Sequence, residues 1–159
     1  MALVQRTDNT LHATHWQGAI PLNYRYTAGR AGQKFLMHLK DKGELLATTC
    51  NDCGVTYMPA AIFCERCLAR LEDTYEALPA RGEVHAVTVC HEDYRGTRRD
   101  EPSIVAMIRV DGTEGGLLHW LGELEAKEVT IGMKVEAVLE PAGKRVGSIL
   151  DIRYFKPVG

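Results

Sequence analysis

Apolar positions recur along this chain with two different periods. From Ala31 to Lys42 they follow a helical repeat. Phe35, Leu36 and Leu39 share one face, while Gln33, Lys34, His38, Lys40 and Lys42 take the other. Lys40 and Lys42 in the last turn and Gly43 after it predict the helix end. From Glu44 onward the period shortens to that of strands. Glu44 to Thr49, Val55 to Met58 (stopped by Pro59) and Asp73 to Leu78 are predicted as three short strands. Before the helix the pattern is weak. Trp16 and Ile20 stand four apart and fit an irregular or partly helical arm, and Asn23 to Gly29 reads as extended, ending in a glycine turn.

Pro79 to Gly82 marks a second boundary, and five further strands are predicted beyond it. Glu83 to His91 alternates with both faces partly apolar, which predicts cover on both sides. A polar loop from Glu92 to Glu101, closed by Pro102, leads to Ser103 to Val110. Asp111-Gly112 is a turn signal before Gly116 to Gly122. A short helix or loop from Leu124 to Thr130 precedes Met133 to Leu139, and Ser148 to Phe155 is last. Five strands with a connector between the third and fourth suit an OB-type barrel, and also a generic small β-barrel.

Chemistry enters between the first strands. Cys50 and Cys53, then Cys64 and Cys67, form two Cys-x-x-Cys knuckles with ten residues between Cys53 and Cys64. Each knuckle aims two sulfurs at one point, and two knuckles close a tetrahedron. Structural Zn²⁺ is the expected occupant. Iron in an electron-transfer site is the rival, because the same geometry accepts it. A closed four-thiolate shell leaves no coordination position for substrate or water. The order strand, knuckle, strand, knuckle, strand is that of a zinc ribbon.

Composition narrows the classes. The 159 residues are 45 % hydrophobic and 25 % charged, the balance of a globular chain. A net charge of −2 and an aromatic content of 7 % count against a nucleic-acid binder, although zinc ribbons and OB barrels serve that purpose elsewhere. No apolar run approaches the roughly 20 residues that span a bilayer, and residues 1–10 lack the apolar core of a signal peptide. A cytoplasmic location without membrane attachment is expected. The only two serines, Ser103 and Ser148, sit outside any Gly-x-Ser-x-Gly, and no phosphate-binding glycine loop is present. Cys90 reads as a buried structural thiol, because His91 beside it on a strand points to the opposite face. His12, His15, His38 and His85 lack the spacing of a second metal site.

Several segments together carry a family likeness. They are Tyr24-x-Tyr26-x-x-Gly29, Phe35 to Leu39, Cys50-x-x-Cys53-Gly54, Cys64-x-x-Cys67, Gly82-Glu83-Val84 and Ile131-Gly132-Met133-Lys134-Val135. In this order they resemble the acyl-CoA-associated zinc-ribbon and OB-fold proteins once known as domain of unknown function thirty-five. The likeness runs from about Trp16 onward, and the cysteine pairs are its most specific part. It implies a mainly β fold: an N-terminal helical arm (1–43), a rubredoxin-like zinc ribbon (44–79) and a five-stranded OB-fold barrel (80–159). It also implies an accessory subunit without chemistry of its own. Such a subunit works beside a thiolase, a thiolase-like aldolase, a hydroxymethylglutaryl-CoA synthase or a MaoC-type hydratase and takes acyl-CoA as ligand, as a homodimer or a hetero-oligomer. One departure is Ala60-Ala61, where many relatives carry a proline–basic pair.

Two further expectations concern contacts. Arg95, Arg98 and Arg99 in the polar loop could grip the phosphates of coenzyme A or dock a partner, since a guanidinium fork matches phosphate oxygens. The alternative is a charge-balanced loop, with Glu92, Asp93, Asp100 and Glu101 facing them. The aromatics Trp16, Tyr24, Tyr26 and Phe35 of the arm are expected at an interface, because an arm outside two small modules has little core to enter. Trp120 is expected in the core or at an interface.

Overall fold

The computed structural model describes residue 24 and residues 26–93 and 95–158. The irregular arm expected before Pro21, with Trp16, His12 and His15, lies outside the described residues. The described chain begins with helix α1 (Gly29–Lys42), which starts two residues earlier than its pattern suggested. Ala28 at its N-terminus makes no side-chain capping bond, so the sequence held no start signal to read. The other end behaves as expected. Gly43 adopts the left-handed conformation (φ 72°), and its N–H bonds the Leu39 carbonyl at 2.9 Å.

Strands β1 (Leu45–Thr49), β2 (Thr56–Tyr57) and β3 (Tyr75–Leu78) follow. They form an antiparallel sheet in the order β2-β1-β3. β4 (Arg81–Glu92), β5 (Arg98–Val110), β6 (Gly116–Leu121), β7 (Lys134–Leu139) and β8 (Ile152–Pro157) close a barrel in the order β4-β5-β6-β8-β7. All pairs are antiparallel except β6 with β8, which meet in parallel at Leu121 and Phe155. Five strands in this order, with one parallel contact between third and fifth, make the expected OB-fold. The connector between β6 and β7 shrinks to a single 3-10 turn, Ala126–Glu128.

Three sequence expectations need correction. Half of the segment from Glu92 to Glu101 is strand and not loop. β5 begins at Arg98 and runs through Pro102, and Glu92 pairs with Arg98. The turn between them is held by the Asp93 carboxylate, which accepts the Arg95 and Thr97 N–H groups at 2.8 and 2.9 Å. β4 is also not covered on both faces. It pairs with β7 only through Arg81–Glu83, so its later half and the start of β5 leave the barrel as a projecting hairpin. His85, Ala86, Val87 and Thr88 are exposed there. Cys90, on the same hairpin opposite Ser103, is partly exposed and not buried.

A single core joins helix, ribbon and barrel. Phe35 and Leu39 of α1, Leu45 and Ala47 of β1, and Val84, Ile108, Val135, Ile152 and Phe155 of the barrel are buried in one cluster. Phe35 is 3 % exposed and belongs to this core, which overturns its expected interface role. The arm has a core to enter because β1 is buried along nearly its whole length and brings Leu45, Leu46 and Ala47 to it. Tyr24 and Tyr26, by contrast, are exposed and stacked with ring centroids 6.1 Å apart. Among the described residues no helix is long and apolar enough to cross a membrane.

Candidate functional site

The cysteine knuckles follow β1 and β2 in the ribbon, and Arg30 of α1 pairs with Glu72 beside them at 2.8 Å. The first is the turn after β1. The Cys50 N–H bonds the Val55 carbonyl, and the Gly54 N–H bonds the Cys50 carbonyl, both at 2.8 Å. The second repeats this pattern. The Cys64 N–H bonds the Ala69 carbonyl at 2.9 Å, and the Leu68 N–H bonds the Cys64 carbonyl at 3.0 Å. Gly54 and Leu68 follow the last cysteine of each knuckle, and both have positive φ (68° and 61°). Glycine marks the first turn in the sequence; leucine hides the second.

These turns bring all four sulfurs within 4.8 Å of one another, with Cys50 Sγ and Cys67 Sγ 3.5 Å apart. Bonds of about 2.3 Å in a tetrahedral thiolate shell require edges of about 3.8 Å, so the donor set fits a metal ion. Cys50 and Cys64 are buried, Cys53 is half-buried and Cys67 is exposed. Leu71 closes the cluster from below, with Tyr57, Ala61 and Ala69 around it.

The thiols differ in acidity. Cys64 is lowered to about 6, first by the Tyr57 hydroxyl and then by the backbone N–H of Cys67. Cys53 is pushed up to about 12, first by its hydrogen bond with Cys67 and then by burial. The Tyr57 hydroxyl lies 3.2 Å from Cys64 Sγ and accepts the Glu65 N–H at 3.1 Å. Sequence reading placed Tyr57 on a strand and gave it no further part. Its signal was its register on β2, the strand that turns back over the knuckles.

The ribbon is fastened to the barrel at the turn between β5 and β6. The Glu114 N–H bonds the Thr56 carbonyl, and Arg66 Nη2 pairs with Glu114 Oε2, both at 3.1 Å. A side chain at Gly115 would place its Cβ 2.1 Å from the Met58 carbonyl oxygen, so only glycine permits this approach.

The three arginines stand at the free end of the projecting hairpin, and all are exposed. Arg98 and Arg99 are neighbours on β5 and therefore point to opposite faces. Arg99 Nε reaches the Glu92 carbonyl at 3.4 Å. The hairpin thus carries guanidinium groups on both faces and does not gather them into one cluster.

A second surface includes Trp120, expected in the core or at an interface, and neighbours to which the sequence gave no such part. On the outer face of β5 and β6, Met107 pairs with Leu118 and Val105 with Trp120. Ile149 and Leu150 border them, and with Val105, Leu118, His119 and Trp120 they line one shallow depression of about 290 Å³. Leu118 is 66 % exposed, Trp120 48 % and Leu150 60 %. The run Leu117 to Leu121 is apolar at nearly every position, so a strand with one face in the core leaves the other uncovered. His119 points inward against Phe155, with ring centroids 5.8 Å apart. Burial pushes its pKa down, against the opposing pull of backbone bonds at Ile149 and Trp120.

Comparison with known proteins gives consistent matches. Residues 38–72 match the ChsH2 rubredoxin-like zinc ribbon domain, and residues 75–140 match the ChsH2 C-terminal OB-fold domain. A DUF35 domain-containing scaffold protein of Methanocaldococcus jannaschii is 29 % identical over 125 residues, covering 76 % of this chain and 86 % of the relative. The crystal structure of a DUF35 protein of unknown function from Sulfolobus solfataricus superposes with a TM-score of 0.59 at 28 % identity. That match covers 69 % of this chain and 78 % of the other. A structure of the Ltp2-ChsH2(DUF35) aldolase matches in fold, with a TM-score of 0.57 at 18 % identity, over 83 % of this chain and 98 % of that one.

Proposed function

Given that the chain belongs to the DUF35 family, with its zinc ribbon and OB-fold domains in the same order, we propose that it is an accessory subunit of an acyl-CoA enzyme. Its partner would be a thiolase-like, aldolase or MaoC-type hydratase subunit. The observation that carries this reading is the uncovered apolar face of β5 and β6. Leu118 and Trp120 of β6 are exposed beside Leu150 of the turn before β8, and a contiguous apolar surface of this kind marks a protein contact. The names of two relatives support it, one a scaffold protein and the other seated in an aldolase complex.

In this reading the four cysteines hold a structural zinc ion and take no part in chemistry. A closed thiolate shell would make the ribbon a rigid bracket fixed to the barrel through Gly115 and Glu114. Arg95, Arg98 and Arg99 bring positive charge to the free end of the hairpin, suited to the phosphates of coenzyme A where that end meets the partner's site. Affinity purification of the full chain from its native host, with mass spectrometry, tests the partner. An acyl-CoA-transforming enzyme should co-purify in stoichiometric amount. Calorimetry of that complex with acyl-CoA tests the arginines. Replacing all three by alanine should weaken binding about tenfold or more, as expected for loss of charge-assisted phosphate contacts of about 1.5–3 kcal/mol. Equal affinity removes them from the site.

A further inference from the structure

We propose that Tyr57 is a positioning residue of the metal centre, donating its phenol proton to the metal-bound Cys64 thiolate; this rests on the reading of the four cysteines as a metal site. The direction of the bond follows from chemistry. A metal-bound thiolate carries no proton, so in the Tyr57–Cys64 contact of 3.2 Å the phenol must donate. The phenol's acceptor side is already engaged, since the Glu65 N–H bonds the same oxygen at 3.1 Å. Tyr57 therefore bridges a backbone amide of the second knuckle and the first sulfur of that knuckle.

The bridge makes the four ligands unequal. The Cys64 sulfur also receives the backbone N–H groups of Arg66 and Cys67 beside the Tyr57 hydroxyl. Donors on a thiolate draw charge from it and weaken it as an electron donor to the metal, while holding it in place. Cys64 is thus anchored and made less reactive toward electrophiles. The exposed Cys67, at the other end of the same knuckle, lacks this protection from solvent. Tyr57 achieves this from β2, the strand that also bonds the barrel through Thr56 and Glu114. A shift of the barrel turn would therefore reach the metal ligand through one strand.

The test uses the full chain and Tyr57→Phe, which keeps the ring and removes only the hydroxyl. Two measurements are made: zinc affinity by competition with a chromophoric chelator, and the sulfur-to-metal charge-transfer band of the cobalt-substituted protein. The unaltered chain should bind one equivalent of metal. Tyr57→Phe should bind zinc about tenfold more weakly, in the range found when partners of metal ligands are removed, and its cobalt band should move to lower energy. Thr48→Val is the control. It removes two ribbon hydrogen bonds that touch no sulfur, the Ala61 N–H to the Thr48 hydroxyl at 2.9 Å and that hydroxyl to the Ala61 carbonyl at 3.1 Å, so it should lower stability and leave the band in place. An unshifted band and unchanged affinity in Tyr57→Phe overturn the proposal while leaving the metal site standing, and so does a shift that Thr48→Val reproduces. Failure of the unaltered chain to bind metal overturns both.

Discussion

Asp151 is 2 % exposed and ends a short 3-10 turn before β8. Its carboxylate accepts the N–H groups of Val146, Gly147 and Ser148 at 3.0, 2.8 and 3.2 Å. Burial alone would raise its pKa, but these three bonds, with help from Arg145, outweigh it and hold the carboxyl below its usual range. The sign follows. A group whose pKa is lower folded than unfolded stabilises the fold above the unfolded value, near pH 4, and loses that contribution as pH falls below it. Asp151→Ala should cost about 1–3 kcal/mol at neutral pH in urea denaturation, since three backbone donors lose a buried acceptor. Asp151→Asn should also flatten the acid limb of the stability–pH curve below about pH 4.

At the scale of elements, α1 and the ribbon depend on different forces. α1 is held by burial, so Phe35→Ala should lower unfolding free energy by about 3–5 kcal/mol. Because Phe35 shares its core with Val84 and Ile108, denaturant curves should keep one transition, the barrel falling with the helix. In the knuckle segment 50–71 Met58 joins the main core, and the residues around the sulfurs have a small cluster at Leu71, so metal should carry most of the stability of the knuckles. Stripping metal with a strong chelator should abolish amide-exchange protection in residues 50–71 while β4 to β8 keep theirs. The elements were legible where one residue type decided the outcome. Four cysteines in two knuckles placed the ribbon, and Gly43 placed the helix end. Alternation in β5 and β6 gave their position and spacing. The hairpin was not legible, because its tip is polar and Pro102 looks like a stop. Pairing between β4 and β5, which no local pattern encodes, extends the strands to Glu92 and Arg98. The Tyr57–Cys64 contact was hidden for a similar reason. It depends on a two-residue strand folding back over the knuckle.

At the scale of the molecule, three modules read from the sequence share one continuous core. The seam between ribbon and barrel is backbone-close at Gly115 and Met58. The exposed ion pair Arg66–Glu114 across that seam adds little, since exposed pairs contribute about 0–1 kcal/mol. This seam places the outer face of β5 and β6 and the β4–β5 hairpin on one body with the ribbon, which suits the proposed accessory role. The run from Leu117 to Leu121 satisfies the core on one side and leaves Leu118 and Trp120 exposed among the described residues. The most direct measurement is the native-host purification run in parallel with the full chain and with Leu118→Glu/Trp120→Glu. The double variant should fold, because both side chains lie outside the core. The full chain should retain an acyl-CoA-transforming enzyme in stoichiometric amount, and the double variant should lose at least nine-tenths of it. Recovery of the full chain without such an enzyme, or equal recovery of that enzyme by both chains, would contradict docking through this face.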